Sequence, residues 1–193
     1  YPMEYRRIDK AVKPDYEAMA RFTHRNGDWV LVLGSGSKKG VREVGFLISA
    51  DQSERRERSL APLYKQLAAA AGLRGKQTLN IEGLAVAGDR AYFLNRGNSA
   101  GNLIFRADLA EVFAYMRGER ESLSKGERYS ARLPVVKGFE ATFSGADYWP
   151  QLDALCSPPR SKRPVTPTPT VKCSVATSAS SASTRCARVK SMT

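Results

Sequence analysis

The first 155 residues contain no cysteine, and the three cysteines of the chain are Cys156, Cys173 and Cys186. Their spacing matches no metal-ligand pattern, so it indicates neither a disulfide framework nor a cysteine-based metal site. The chain also lacks an apolar run long enough to cross a bilayer and a stretch typical of a secretory signal peptide. We therefore expect a soluble protein without a membrane partner, in a compartment that the sequence does not identify. Because it begins at Tyr1, we expect its N-terminus to be processed or truncated.

Acidic residues are missing from residues 157–193, which carry seven basic ones. Removing these seven charges from the total of +12 leaves +5 for residues 1–156, so the body of the chain is only mildly basic. It has no clustered Lys/Arg stripe interleaved with aromatic residues, which nucleic-acid-binding surfaces usually have. We therefore expect no nucleic-acid partner.

Histidine is also scarce, since His24 is the single one in the chain. This matters because Gly97-x-Ser99-x-Gly101 has the spacing of the nucleophile elbow of serine esterases. An elbow needs a strand before the serine and a helix after it, with the histidine later in the chain. Here a strand-like segment follows Gly101 and the histidine lies upstream. We therefore expect Ser99 to lie in a β-hairpin turn, and His24 to be a solvated turn residue.

Two β-hairpins and two short helices are predicted from local patterns. In each hairpin, two apolar, β-rich runs flank a glycine-rich connection. The runs are Trp29–Leu33 and Val41–Ile48 in the first hairpin, and Ala91–Leu94 and Asn102–Ala107 in the second. The first connection, "GSGSKKG", lacks the P-loop and G-x-G-x-x-G spacings, so we interpret it as a hairpin turn, with anion binding by Lys38, Lys39 and Arg42 as the alternative. Apolar spacing predicts a helix from a Ser59 cap to Gly72 and another over Leu109–Met116 behind Asp108.

A phrase recurs in the sequence, as "PDYEAMA", "LNIEGLA" and "KGFEATF". In each, an apolar or aromatic residue precedes a glutamate that Ala or Gly follows; the glutamates are Glu17, Glu82 and Glu140. Their separations of 65 and 58 residues suit a repeat of about 45 residues with insertions, which is the scale of a propeller blade. The predicted fold is all-β with short helical insertions, namely about three blades of a β-propeller, each phrase forming the innermost strand of a blade. A propeller needs at least about four blades to close, so we expect a fragment.

A carboxylate in an apolar inner strand is costly unless it is paired or bound to a cation. One per blade would converge on the central channel, where the three glutamates would hold a divalent cation such as calcium, with Asp15 and Asn80 as further oxygen ligands. The alternative is that each glutamate accepts backbone amides or pairs with an arginine such as Arg42 or Arg96, which would lock neighbouring blades together. Both hypotheses stay open from the sequence.

Three blocks, "KPDYEAM", "LVLGSGSKKGVRE" and "LNIEGLAVAGDRAYFLNRGN", resemble the signatures of a bacterial family of uncharacterised β-propeller proteins. That family is similar to the esterase-like phytase domain and to other propellers with an N-x-E-G strand. The resemblance spans about residues 10 to 155 and implies a propeller of about six blades. The motif positions carried over from it are Asp15, Glu17, Asn80, Glu82, Arg96 and Asn98. Arg42, Arg96 and Asn98 are the candidate ligand-binding residues.

Two functions follow from this interpretation. The first is a binding module that recognises a small molecule or a protein at the channel mouth, with a divalent-cation site in the channel. The alternative is a calcium-dependent, phytase-like or esterase-like hydrolase of phosphate or ester bonds. The names phytase and esterase reflect a similarity of fold, which is weak support for the same activity. The sequence therefore leaves open whether the protein is an enzyme. A complete propeller is expected to be a monomer.

The segment 157–193 differs in composition from residues 1–156, which we assign to the partial propeller domain. Its lack of acidic and large apolar residues is typical of a disordered, low-complexity basic tail. We predict that it is a frameshift product. Codons exist for which one added base after Cys156 turns the same DNA into a frame with acidic residues, a D-G turn and the strand-like "RYLGIVSL". A basic interaction arm is the alternative.

Overall fold

Antiparallel strands that follow one another along the chain are the main regular structure of the described residues. The computed structural model describes residues 8–97, 101–136, 138–160, 171–173, 186–187 and 189–191. The predicted β-rich class with short helical insertions is confirmed within these residues, which contain several antiparallel sheets and two α-helices. Neither described helix has the length and apolar character that a membrane crossing requires.

The first sheet is a four-stranded meander in which spatial order equals chain order. Its strands are β1 (Tyr16–His24), β2 (Gly27–Gly34), β3 (Val44–Ser49) and β4 (Arg55–Ser59). The β1–β2 turn has Arg25 and Asn26 at positive φ, as in the type I′ turns that suit hairpin twist. The edge strand β4, with sequence RRERS, is densely charged, which discourages pairing with a further strand.

The second sheet repeats this plan after the helix α1 (Ala61–Ala70). Its antiparallel strands are β5 (Ile81–Ala87), β6 (Arg90–Asn95), β7 (Leu103–Asp108) and β8 (Glu127–Ala131), with the helix α2 (Leu109–Met116) between the last two. Strands β2 and β3 pair with each other, as do β6 and β7, so both predicted hairpins are confirmed.

Shorter strands follow the second sheet. They are β9 (Val135–Val136), β10 (Phe139–Glu140), β11 (Thr142–Phe143), β12 (Asp147–Trp149), β13 (Ala154–Ser157), β14 (Pro159–Arg160), β15 (Val171–Cys173), β16 (Cys186–Ala187) and β17 (Val189–Ser191). A 3-10 turn at Pro150–Leu152 joins β12 to β13. Strands β12, β13, β15 and β17 form a third antiparallel sheet, and β16 lies parallel to β8. Four of these short strands lie wholly within the segment 157–193, and the domain boundary and the origin of that segment stay predictions.

The three sheets pack face against face through two apolar layers. The layer between the first and second sheets contains, among others, Ala18, Leu31, Leu33, Leu47, Leu84, Phe93 and Phe105. The layer between the second sheet and the third group of strands contains Ala85, Tyr92, Leu94, Ile104, Ala141, Phe143 and Leu155. Because side chains alternate between the faces of a strand, the second-sheet strands β5, β6 and β7 contribute to both layers, and the sheets stack in chain order.

Both helices belong to the first layer. Helix α2 has the predicted bounds, and Asp108 caps it by accepting the backbone N–H of Glu111 at 3.2 Å. Helix α1 buries Leu63, Tyr64 and Leu67, but Leu60 rather than Ser59 is its N-cap residue. The Ser59 hydroxyl still accepts the backbone N–H of Ala61, the first residue of the helix, at 3.3 Å.

His24 differs from the sequence prediction of a solvated turn residue. It is the last residue of β1 and is half-buried, with its ring centroid 4.7 Å from that of Phe113. Its backbone carbonyl accepts the indole N–H of Trp29 at 3.1 Å. The docking of α2 against the first sheet draws this residue into the core, which the local sequence around His24 does not indicate.

Candidate functional site

The first two glutamate phrases occupy equivalent positions in the two meander sheets. In β1 the pairing register shifts between Tyr16 and Ala18, and in β5 it shifts between Ile81 and Gly83. Glu17 and Glu82 therefore each lie in a bulge near the start of the first strand of a sheet. A bulge re-aims its extra side chain away from the regular alternation. Because β1 and β5 lie against each other, the two glutamates belong to one region of the protein. We call this region the first-strand cluster. It consists of Glu17 and Glu82 together with Asp15, Arg42, Asn80 and Arg96.

Asp15 is held by cations and a hydroxyl. Its carboxylate contacts Arg42 Nη1 at 3.0 Å and Lys13 Nζ at 2.9 Å, and it accepts the Ser35 hydroxyl at 3.2 Å. Burial alone would raise the pKa of Asp15, but the hydrogen bond from Lys13 and the charge of Arg42 outweigh it, so that the pKa lies below its ordinary value. The carboxylate is thus ionised and neutralised within the protein.

Glu82 is the buried carboxylate of the first-strand cluster. Its side chain is 9% exposed, and its Oε1 atom accepts Asn80 Nδ2 at 2.7 Å and Arg96 Nη1 at 2.9 Å. The backbone N–H of Asn80 donates to the Asn95 side chain at 2.8 Å, which fixes the start of β5. This geometry corresponds to the arginine-pairing hypothesis at Glu82.

Glu17 differs from Asp15 and Glu82 because it is exposed to solvent. Partial desolvation raises the pKa of Glu17, and the nearby negative charges of Glu82 and Asp15 raise it further. Lys13 opposes these effects only in part. Glu17 is therefore a carboxyl of the first-strand cluster whose ionised form the protein disfavours, first through desolvation and then through its two acidic neighbours.

Glu140 is held elsewhere. The third phrase is not one continuous strand, because β10 pairs with β9 while β11 pairs with β14. The exposed Glu140 accepts the backbone N–H of Leu133 at 3.1 Å, and Asn102 Nδ2 lies 3.4 Å from the same oxygen. The phrases around Glu17 and Glu82 therefore lie in equivalent strands, whereas the phrase around Glu140 does not form an equivalent strand.

Of the three predicted ligand-binding residues, Arg42 and Arg96 form ion pairs, and Asn98 is not among the described residues. Arg42 and Arg96 are each about four-fifths buried and engaged with a carboxylate. Within the described part of the chain, the Nε atom of each is buried and has no hydrogen-bond partner. Asn98 and Ser99 lie outside the described residues. The strands on either side of them, β6 and β7, pair antiparallel.

A metal site is not preformed in the described ranges. Among these residues, no group of three or more His, Cys, Asp or Glu side chains is arranged to hold a metal ion. In the predicted calcium set, Asp15 and Glu82 pair with arginines, Asn80 donates to Glu82, and Glu17 and Glu140 are exposed, with Glu140 bound to the Leu133 amide. A calcium site formed from this set stays a prediction.

Several residues that position the cluster were not predicted from the sequence. Lys13 and Ser35 hold Asp15, and Asn95 holds the backbone of Asn80. Ser35 and Arg96 occupy matching places, since their backbone N–H groups donate to the carbonyls of Asp15 and Asn80 respectively. Aligning the ends of the two second strands, "LGSG" and "LNRG", places Ser35 opposite Arg96.

One protein family matches the chain, and its description is a family of unknown function (DUF6929). The match covers residues 2–157, so the chain belongs to this family. No curated protein matches the chain.

Proposed function

We propose that this member of a family of unknown function is a β-propeller-type binding module that recognises a positively charged group at its first-strand cluster. The repeated four-stranded meanders, β1–β4 and β5–β8, support the propeller organisation. Each meander follows chain order, begins with a bulged glutamate and packs one face on the next sheet. These features are those expected of successive blades.

The observation that carries the binding proposal is the state of Glu17. Asp15 and Glu82 have cationic partners, whereas Glu17 is exposed and has a raised pKa beside two other carboxylates. A bound cation would relieve this repulsion and would favour the ionised form of Glu17. A ligand with a positive group, either a small molecule or a protein side chain, therefore fits this end of the sheets.

A divalent cation is one member of this class, and calcium binding is also the first requirement of the hydrolase alternative. Exposed carboxylate and amide oxygens are the ligands that calcium prefers. Binding of calcium by the cluster would require Glu17 together with Asp15 or Asn80, and these residues would have to rearrange. An experiment must therefore compare metal cations with an organic cation as ligands of the cluster.

The test is thermal unfolding of the 193-residue protein with calcium chloride, magnesium chloride or methylammonium chloride at matched ionic strength. A cation that binds only the folded protein, at about 100 times its Kd, stabilises it by about 2.7 kcal/mol, which corresponds to about 5–10 °C for a chain of this size. Glu17→Gln should abolish the shift. The matched control is Glu121→Gln, at a glutamate whose side chain is 78% exposed outside the cluster.

The outcomes separate the alternatives. A shift with methylammonium and not with calcium favours an organic cation, and a shift with calcium alone favours a metal site. Turnover of a generic phosphomonoester in the presence of calcium, lost in Glu17→Gln, would favour the hydrolase. The proposal fails if no cation stabilises the protein, or if the shift persists in Glu17→Gln.

A further inference from the structure

A third bulge of the same kind as the two at the bulged glutamates lies in the third group of strands. Phe143 pairs with Pro159, and Asp147 pairs with Cys156. Three residues between Phe143 and Asp147 therefore lie opposite two residues between Cys156 and Pro159. This makes β11 and β12 one first strand with a single extra residue, which is the same shift that β1 and β5 show.

The directions of the neighbouring side chains identify Ser144 as the extra residue. In β5, the residue before the bulge and the second residue after it, Ile81 and Leu84, both pack toward the first sheet. At the same places around Ser144, Phe143 and Ala146 both pack toward the second sheet. Ser144 therefore has the place of a bulged glutamate, although the segments "IEGLAV" and "FSGADY" share only the glycine after the bulge.

The three bulges lie at the same end of neighbouring strands. Strand β1 lies against β5, and β5 lies against β12. On one side, Glu17 is close enough to Glu82 for their charges to interact. On the other side, a Cβ on Gly83 would lie 2.7 Å from the backbone carbon of Gly145, so the residues that follow these two bulges are in contact. Ser144 therefore continues the first-strand cluster onto the third group of strands.

Ser144 differs from the two bulged glutamates because it brings no charge. It is half-buried, and its hydroxyl donates to the backbone carbonyl of Pro158 at 2.8 Å. A hydroxyl that donates in this way keeps its oxygen lone pairs as acceptors. The line of bulges thus has an exposed carboxyl at Glu17, an arginine-paired carboxylate at Glu82 and a neutral acceptor at Ser144.

We propose that Ser144 is a ligand-binding residue of this site. Its ligand is an elongated amine whose positive group binds Glu17 and whose far end, a neutral group such as a primary amide, donates a hydrogen bond to the Ser144 oxygen. Stacked sheets lie about 10 Å apart, so a cation as small as methylammonium does not contact both the first and the third of them. Because Ser144 itself brings no charge, this contact favours a neutral donor over a second cation. The inference rests on the proposed function, since it adds a second contact to the same ligand.

The experiment is isothermal titration calorimetry of the 193-residue protein with 6-aminohexanamide and 8-aminooctanamide. Each is compared with the unbranched alkylamine of the same chain length, which has the amine but lacks the amide. An amino amide that reaches Ser144 should bind about 3- to 10-fold more tightly than its alkylamine, which is the worth of one neutral hydrogen bond. Ser144→Ala should remove this advantage and leave the affinity for the alkylamine unchanged. Ser144→Thr retains a hydroxyl and should keep the advantage.

Ser157→Ala is the matched control. Ser157 is buried, and its hydroxyl donates to the backbone carbonyl of Gly145 at 2.6 Å, so this change also removes a side-chain bond between the same two strands. It should leave the advantage of the amino amide intact. The inference is wrong if neither amino amide binds more tightly than its alkylamine, if the advantage survives Ser144→Ala, or if Ser157→Ala removes it to the same extent.

The simple amines distinguish a failure of this inference from a failure of the proposed function. If methylammonium and the alkylamines bind, and Glu17→Gln abolishes their binding, the cation site stands whatever the amino amides do. Amino amides without an advantage then refute only the role of Ser144. If no amine binds at Glu17, both proposals fail.

Discussion

Removing Arg96 tests whether the buried glutamate of the second sheet is an arginine partner or a free ligand oxygen. The Glu82 side chain is 9% exposed and that of Arg96 is 19% exposed, and the two are 2.9 Å apart. Breaking a fully buried ion pair from one side costs about 3–5 kcal/mol, because it leaves the other charge uncompensated. Asn80 still donates to Glu82 and Arg96 is partly hydrated, so we expect Arg96→Met to lower the free energy of unfolding by about 2–3 kcal/mol.

Urea denaturation followed by circular dichroism measures this change, which corresponds to a fall in Tm of about 5–10 °C. The matched control is Arg21→Met, because Arg21 is 71% exposed in its pair with Asp28 and should cost less than about 1 kcal/mol. Adding Glu82→Gln to Arg96→Met removes the uncompensated charge and should restore at least half of the loss. The reasoning is refuted if Arg96→Met costs no more than the control, or if the double variant is as unstable as the single one.

Three further predictions concern Glu17, the contact between the second and third sheets, and the terminal segment. The raised pKa of Glu17 means that folding favours its protonated form, so its destabilising effect is absent below the ordinary Glu range and grows as pH rises through the raised value. Glu17→Gln should therefore raise Tm at pH 7, with the difference vanishing near pH 4; an equal difference at both pH values would contradict this. A Cβ on Gly83 would lie 2.7 Å from the backbone carbon of Gly145, so Gly83→Ala should cost about 1–3 kcal/mol in urea denaturation. Gly40→Asn, where nothing lies within 4 Å and φ is +72°, should cost less than Gly83→Ala, and equal losses would argue against the close approach. Finally, sequencing the locus should show one missing base after the codon of Cys156, and an intact frame there would restore the basic-arm hypothesis for residues 157–193.

The local elements of this protein were predictable because their signals are contained in a few neighbouring residues. The alternating apolar runs of β2 and β3 and of β6 and β7 predict hairpins, and Asp108 before an apolar stripe predicts the start of α2. The position of Glu17 and Glu82 near the start of first strands was also predictable, since the same phrase precedes the same hairpin pattern twice. Each of these features depends on backbone geometry and side-chain alternation within one segment.

Tertiary structure alone decided what each charged side chain contacts. The phrase around Glu140 matches the other two in residue type, yet Glu140 accepts the amide of Leu133, because the chain there breaks into the short strands β10 and β11. Sequence spacing orders residues along the chain but does not state which loop reaches a carboxylate, so it left both cation binding and arginine pairing open at Glu82. The pairing of β5 with β6 places Arg96 beside Glu82, and the packing of one sheet on the next leaves Glu17 exposed and Met19 on the outward face of the first sheet. These outcomes follow from pairing and packing between segments, which no single segment encodes.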